Sequence, residues 1–187
     1  MRYLRDSDYL YKITQSDLTT LIEDDETPEL FLIQTETKAQ EQILLFLRKR
    51  YDLNQLFQTY PDYKTGVTYT TGSTVWYSDQ MDNSYSSHLY QPYTATTNLP
   101  NSNAWKRIEP RHQNIVDWMI VISLFKLHER LSPENIPKHR KDAYDEVMKF
   151  LESIQKGRLS PAFPEIENRI QNIYVGGEQS NGIGYNY

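Results

Sequence analysis

The chain has 187 residues, no cysteine and a formal net charge of −5, which suits one domain with a real core and removes disulfide and thiolate–metal chemistry. The acidic balance argues against a dedicated nucleic-acid binder, whose affinity comes largely from neutralising phosphates with Lys and Arg. The longest apolar run, Trp118 to Ile122, is far too short to span a bilayer, and Met1 to Tyr11 carries Arg2, Arg5, Asp6 and Asp8 with no apolar stretch, so a soluble chain without an export signal is expected.

In chain order, Thr14-Gln15-Ser16-Asp17 has capping-box spacing and predicts a short helix through Ile22, broken by the acidic run Glu23-Asp24-Asp25-Glu26. Thr27-Pro28-Glu29 then reads as N-cap, proline at the first helical position and an acid facing the positive end of the helix. The second helix, with Leu30, Ile33, Ala39, Ile43, Leu44, Phe46 and Leu47 as its apolar positions, ends near Tyr51 after Arg48-Lys49-Arg50. From 52 to 105 the composition changes abruptly: seven tyrosines and nine threonines accompany one basic and four acidic side chains. There, residues 65–70 and 74–78 flank a Thr71-Gly72-Ser73 turn, which predicts a β-hairpin, with a further extended stretch from Leu89 to Thr97 available to pair.

Helical signal resumes after Pro110. Ile115, Val116, Trp118, Met119, Ile120, Val121, Ile122, Leu124, Phe125 and Leu127 cover almost every face, which predicts the central, most buried helix, with Trp118, Ile122 and Phe125 in the core. Ser132-Pro133 and Pro137 stop it and start another, whose face is Tyr144, Val147, Met148, Leu151 and Ile154 and whose C-terminal cap is Gly157. Beyond Arg158, Pro161, Pro164, Gly176, Gly177, Gly182 and Gly184 disfavour regular structure, apart from a turn near Glu165 to Ile170, and an extended arm is expected.

The order of these elements resembles the head-tail adaptor, or head completion, family of tailed phages. The residues that carry the resemblance, over about 4 to 160, are the Leu4 to Leu21 opening and the helix ending in Phe46-Leu47-Arg48-Lys49-Arg50-Tyr51-Asp52-Leu53, followed by the buried Ile115 to Leu127 helix and the closing stretch from Tyr144 to Leu159. The fold it implies is mainly α: a four-helix adaptor-type bundle of 1–51 and 106–158, a β-hairpin-containing insertion at 52–105 between helices 2 and 3, and an extended C-terminal arm at 159–187. A β-containing insertion at that place is similar to the gatekeeper or tubular adaptor of short-tailed phages. The implied role is structural and not enzymatic: a virion subunit of the head-tail neck, made in the host cytoplasm, that joins the portal to the tail and continues the DNA channel. Its implied partners are the portal protein, neighbouring copies in a dodecameric ring and a tail or second neck-ring protein. Genomic DNA is present only as channel contents, and no membrane is involved.

The residues point to protein contact independently of the resemblance, because tyrosine buries large area while keeping a hydroxyl to satisfy. Tyr69, Trp76, Tyr77, Tyr90 and Tyr93 in the insertion, and Ile173, Tyr174, Val175, Tyr185 and Tyr187 in the arm, are the candidate interface residues. A stand-alone binding module that uses the Tyr-rich insertion for a glycan or peptide is the competing reading. No catalytic, cofactor-binding or metal-ligating residues are identified. His88, His112, His128 and His139 lack close ligand spacing, the 23–26 run lacks a calcium-loop pattern, and the closing glycines lack the strand and helix of a phosphate-binding loop. Lys138-His139-Arg140-Lys141 is read as a helix face that pairs with Asp142, Asp145 and Glu146.

Overall fold

The computed structural model describes residues 2–22, 27–78, 87–100 and 102–166. The acidic run at 23–26 and the arm residues Ile173, Tyr174, Val175, Tyr185 and Tyr187 lie outside the described residues. In chain order the elements are α1 (Asp6–Tyr9), α2 (Gln15–Ile22), α3 (Pro28–Leu47), α4 (Leu53–Leu56), β1 (Val75–Ser78), β2 (Ser87–Pro92), β3 (Trp105–Ile108), α5 (Gln113–Leu131) and α6 (Lys138–Gln155), with a 3-10 turn at Pro133–Asn135 before α6.

The caps follow from the local sequence. The Thr14 hydroxyl accepts the Asp17 N–H at 3.2 Å and donates to the Asp17 carboxylate at 2.7 Å, so the two side chains close on each other. Asp52 caps α4 by accepting the N–H groups of Asn54 and Gln55. At the end of α6, Gly157 takes φ +71°, and the Gly157 and Arg158 N–H groups donate to the carbonyls of Ile154 and Ser153, a Schellman closure at the expected glycine.

Three long helices, α3, α5 and α6, pack on one another, and α2 leans on α3 and α5. The stripe Leu32, Ala39, Ile43 and Leu47 on α3 faces Ile115, Met119, Ile120, Ile122, Leu124 and Leu127 on α5, with Val147, Leu151 and Ile154 of α6 closing the core. The α5 helix is central, as its pattern requires. Trp118 and Phe125, however, are half-buried at its margin: Trp118 meets Phe163 edge-on at 6.0 Å and Phe125 stacks on Tyr144 at 4.1 Å. Both rings lie toward α6 and residues 159–163, at the margin of the packed stripe and not in its centre.

The expected mainly α four-helix bundle is corrected here, because the fold is mixed α/β. Among the described residues six α-helices accompany a three-stranded antiparallel sheet of order β1-β2-β3. The hairpin around Gly72 is not the pairing that forms. Ser73 N–H does bond the Thr70 carbonyl and Gly72 has φ +96°, so the turn exists, but β1 pairs instead with β2, in the register Val75↔Tyr90 to Ser78↔Ser87. Gly66, at φ +82°, bends the 65–70 segment, which keeps only one bridge, Tyr69↔Thr96. The third strand comes from Trp105–Ile108, at the join between insertion and helix, where Lys106 and Arg107 hide the β pattern. Residues 53–57 also leave the insertion: Leu56 and Phe57 are buried in the helical core, and the Tyr3 hydroxyl donates to the Leu56 carbonyl.

The first part of the expected arm is docked on its own chain. Asp52 N–H donates to the Pro164 carbonyl at 2.8 Å, Ile166 N–H to the Arg50 carbonyl at 2.9 Å, and Arg50 pairs with Glu165 at 2.7 Å. Phe163 is buried among Tyr51, His112 and Trp118. Residues 159–166 therefore form a strap across the helical body.

Ile122 is fully buried at the centre of α5. Ile122→Ala should lower stability by about 2–5 kcal/mol in urea unfolding, the usual cost of emptying such a site. A loss below about 1 kcal/mol would mean that α5 is not the centre of the core.

Candidate functional site

The sheet has two faces with different chemistry, and the register assigns every side chain to one of them. Val75, Tyr77, His88, Tyr90, Pro92, Trp105 and Arg107 share one face; Trp76, Leu89, Lys106 and Ile108 share the other. On the first face, residues from the 60–74 loop add to the aromatic set. Tyr63 lies against Tyr69 at 5.4 Å, Tyr77 at 5.7 Å and Trp105 at 6.1 Å, and Tyr77 meets Tyr90 at 6.1 Å. Most of these contacts are edge-on, as the ring quadrupole favours. Trp105 is buried and donates its indole N–H to the Asn98 carbonyl, while Tyr63, Tyr69, Tyr77 and Tyr90 remain half-buried.

Three of the expected interface residues, Tyr69, Tyr77 and Tyr90, are thus brought together, and Tyr93 stands just beyond β2 with 59 % of its surface exposed. Trp76 is corrected: it is on the opposite face, only 3 % exposed, and serves the join between sheet and helices. Tyr63 and Trp105 belong to the cluster and were missed, although their residue types sit in the same low-charge stretch.

Around Trp76 the chain gathers a cluster of buried charge. The Arg111 side chain, 4 % exposed, pairs with both oxygens of Asp8 at 2.8 and 3.0 Å and with both oxygens of Glu109 at 2.8 and 2.7 Å, and donates to the Tyr3 carbonyl at 3.2 Å. Its guanidinium carbon lies 4.7 Å from the centre of the Trp76 ring, and that of Arg5, itself paired with Asp62 at 2.6 Å, lies 4.9 Å from it. Burial works against the Arg111 cation, but the hydrogen bonds and charges of Glu109 and Asp8 outweigh it and raise its pKa. A second buried pair closes the N-terminal segment on α3: Arg2 grips both oxygens of Glu36 at 2.7 and 2.8 Å, and the Tyr9 hydroxyl donates to the same carboxylate at 2.9 Å. Burial holds the Glu36 carboxyl above its ordinary value despite the pull of Arg2. These charged groups spend their bonds on one another, which is a positioning role.

The histidines do not converge. His112 packs on Phe163 at 5.1 Å and His128 Nδ1 lies 2.8 Å from the Leu124 carbonyl; among the described residues no group of three His, Asp or Glu side chains is placed to hold a metal. The pairing expected along 138–146 does not form among the described residues. Arg140 instead donates to the Lys12 carbonyl at 2.9 Å, tying α6 to the N-terminal segment. No helix among the described residues is long and apolar enough to cross a membrane.

The helical body carries two open apolar seams. One, between α3 and α5, has a volume of about 650 Å³ and is lined by Leu44, Leu45 and Leu53 together with the charged Lys38, Glu41, Arg48 and Lys126. The other, of about 340 Å³, lies between α5 and α6 and is lined by Trp118, Phe150, Ile154, Leu159 and Pro161. Leu45 is 56 % and Phe150 44 % exposed. Neither seam was anticipated, since each combines residues distant in sequence.

Arg111→Met should destabilise the fold by about 3–5 kcal/mol, because it leaves two carboxylates facing a site without a cation. Adding Asp8→Asn should recover part of that loss in urea unfolding; strictly additive losses would show that the pair does not act as a unit. Compared with known proteins, the chain matches no family model, no curated protein and no solved structure.

Proposed function

We propose that this protein is a structural virion subunit of a tailed phage, an adaptor that forms a ring between the portal and the tail and acts without catalysis. In this reading copies of the chain contact one another around the ring, the portal and a tail or second neck-ring protein lie above and below, and DNA passes through the channel. The observation that carries it is the pair of unlike apolar seams, one bordered by the charged side chains of Lys38, Glu41, Arg48 and Lys126 and the other uncharged. A closed ring needs two different faces on each subunit, each fitting the other's partner, whereas a two-fold dimer needs only one. Exposed Leu45 and Phe150, on different seams, meet that requirement. The half-buried tyrosines of the sheet offer a third contact surface for a protein above or below the ring.

Complementation tests the two-face reading. Leu45→Asp and Phe150→Asp should each abolish ring assembly on the portal while leaving the circular dichroism of the subunit unchanged, because both side chains are exposed. Mixed together, the two variants still share one intact pair of faces and should yield heterodimers that go no further. The tagged wild-type chain should also be found at the neck of purified virions. Its absence from virions, together with a monomer that binds a glycan saturably through Tyr77, Tyr90 and Tyr93, would overturn the reading in favour of a stand-alone binding module.

A further inference from the structure

The two edges of the sheet are treated differently by the rest of the chain. Along β1 the outward backbone groups of Trp76 are taken by the preceding loop: Trp76 N–H donates to the Pro61 carbonyl at 2.8 Å, and Tyr63 N–H donates to the Trp76 carbonyl at 2.8 Å. At Trp76 that edge is closed. Along β3, Tyr93 N–H donates to the Ala104 carbonyl at 2.9 Å, which makes those two a hydrogen-bonded pair. In an antiparallel register the bonded pairs alternate, so Gln91–Lys106 and Leu89–Ile108 are bonded across the ladder, whereas Trp105 and Arg107 turn their backbone groups outward. The Trp105 N–H folds back to the Ser102 carbonyl at 3.2 Å. The Arg107 N–H and carbonyl meet no partner among the described residues.

This open edge has a definite chemistry. Lys106 and Arg107 stand next to each other, both exposed, on opposite faces of β3, and neither joins an ion pair among the described residues of an otherwise acidic chain. A groove of about 640 Å³ opens past the C-terminal end of the strand, lined by residues 87–89 of β2 together with Leu10, Tyr11, Arg107, Ile108 and Gln113. Leu10 is 45 % and Tyr11 83 % exposed. Its lining carboxylates, Asp8 and Glu109, are both engaged by Arg111, and the amino-terminal end of α5 adds a positive dipole. An uncovered edge accepts another strand unless something forbids it. Here a second copy of β3 is disfavoured, because it would bring Lys106 and Arg107 against their own kind, and like charges opposed across strands repel.

We propose that the β3 edge and its groove receive an extended acidic segment of a partner protein, added to the sheet as a further strand. Two consecutive carboxylates of that segment pair with Lys106 and Arg107, one on each face, and the next residue, apolar, lies opposite Ile108 against Leu10 and Tyr11. Main-chain bonds to Arg107 supply affinity, and the two cations select the partner. The assembly reading above says only where such a partner comes from; the strand addition itself rests on the edge.

The test uses the full chain and a fluorescent peptide of alternating Val and Thr interrupted by a central Glu-Glu. Anisotropy should show saturable binding, weakened at least about tenfold when the two Glu are replaced by Lys, and equally when the backbone nitrogens facing β3 are methylated. The double variant Lys106→Glu, Arg107→Glu should reverse the charge preference and bind the Lys-Lys peptide. No saturable binding of the Glu-Glu peptide overturns the proposal, and so does undiminished binding of the methylated peptide, which would mark charge attraction without strand addition. Should the double variant not fold, the three peptides on the wild-type chain decide alone. Binding by a chain that never enters a virion would sink the adaptor reading and leave this one intact.

Discussion

The placement of every other element depends on how one buried cation is satisfied. Arg111 lies where β3 leads into α5, with its side chain out of water, and its acceptors come from three places: the N-terminal segment at Tyr3 and Asp8, the β3–α5 link at Glu109, and the ring of Trp76 in β1. Leaving these contacts unmade strands the Arg111 side chain, only 4 % exposed, without the acceptors its charge needs. The sheet can therefore sit on the helical body in one orientation. Net stability is not the main gain, since a well-packed apolar replacement often does as well as a buried ion pair. What the arrangement supplies is a fixed angle between two modules whose apolar contact is otherwise modest.

That angle decides which surfaces are spent and which are left. With Trp76 and Leu89 turned toward the helices, the tyrosines of the opposite face form a small core of their own with Trp105 and keep their outer sides in water. The same orientation covers β1 at Trp76 with residues 61–63 and leaves the outward backbone groups of Arg107 on β3 without a partner among the described residues. In the helical body, α3, α5 and α6 meet along their buried stripes but do not cover Leu45 or Phe150. The buried charges of Asp8, Glu36 and Arg111 thus answer partners of their own chain, while Leu45 and Phe150 are left exposed in separate places.

The long helices were legible because their signals are local. Thr27-Pro28 starts α3 and Gly157 ends α6 where the residues indicate, and the α5 pattern marks the centre of the core. The sheet was only half legible. Glycine at 72 does make a turn, but the strand that β1 needs lies beyond an undescribed stretch, and nothing local to 74–78 distinguishes 65–70 from 87–92 as its partner. Strand β3 was hidden because Lys106 and Arg107 read as the approach to a helix, when they are the outer edge of a sheet. Among the candidate residues, aromatic content identified the cluster but not the face: Trp76 and Tyr77 are neighbours in sequence, and the pleat sends them to opposite sides. Trp118 was misplaced for a related reason, since hydrophobicity says that a ring seeks cover without saying whether cover comes from the core or from a strap at its margin.

The strap also has a kinetic meaning. Its Arg50–Glu165 contact joins residues 115 apart in the chain, and Phe163 fits only where Tyr51, His112 and Trp118 already stand together. Closing so long a loop is entropically costly until the helices have paired. A strap that can dock only once the helices have paired is expected to form late, with Phe163 contributing little to the transition state. Weakening it with Phe163→Leu should quicken unfolding and hardly alter the rate of folding, while a slowed folding limb would place it in the nucleus instead. On that expectation residues 159–166 set how long the folded chain lasts once made, a matter of lifetime that the depth of its core does not decide.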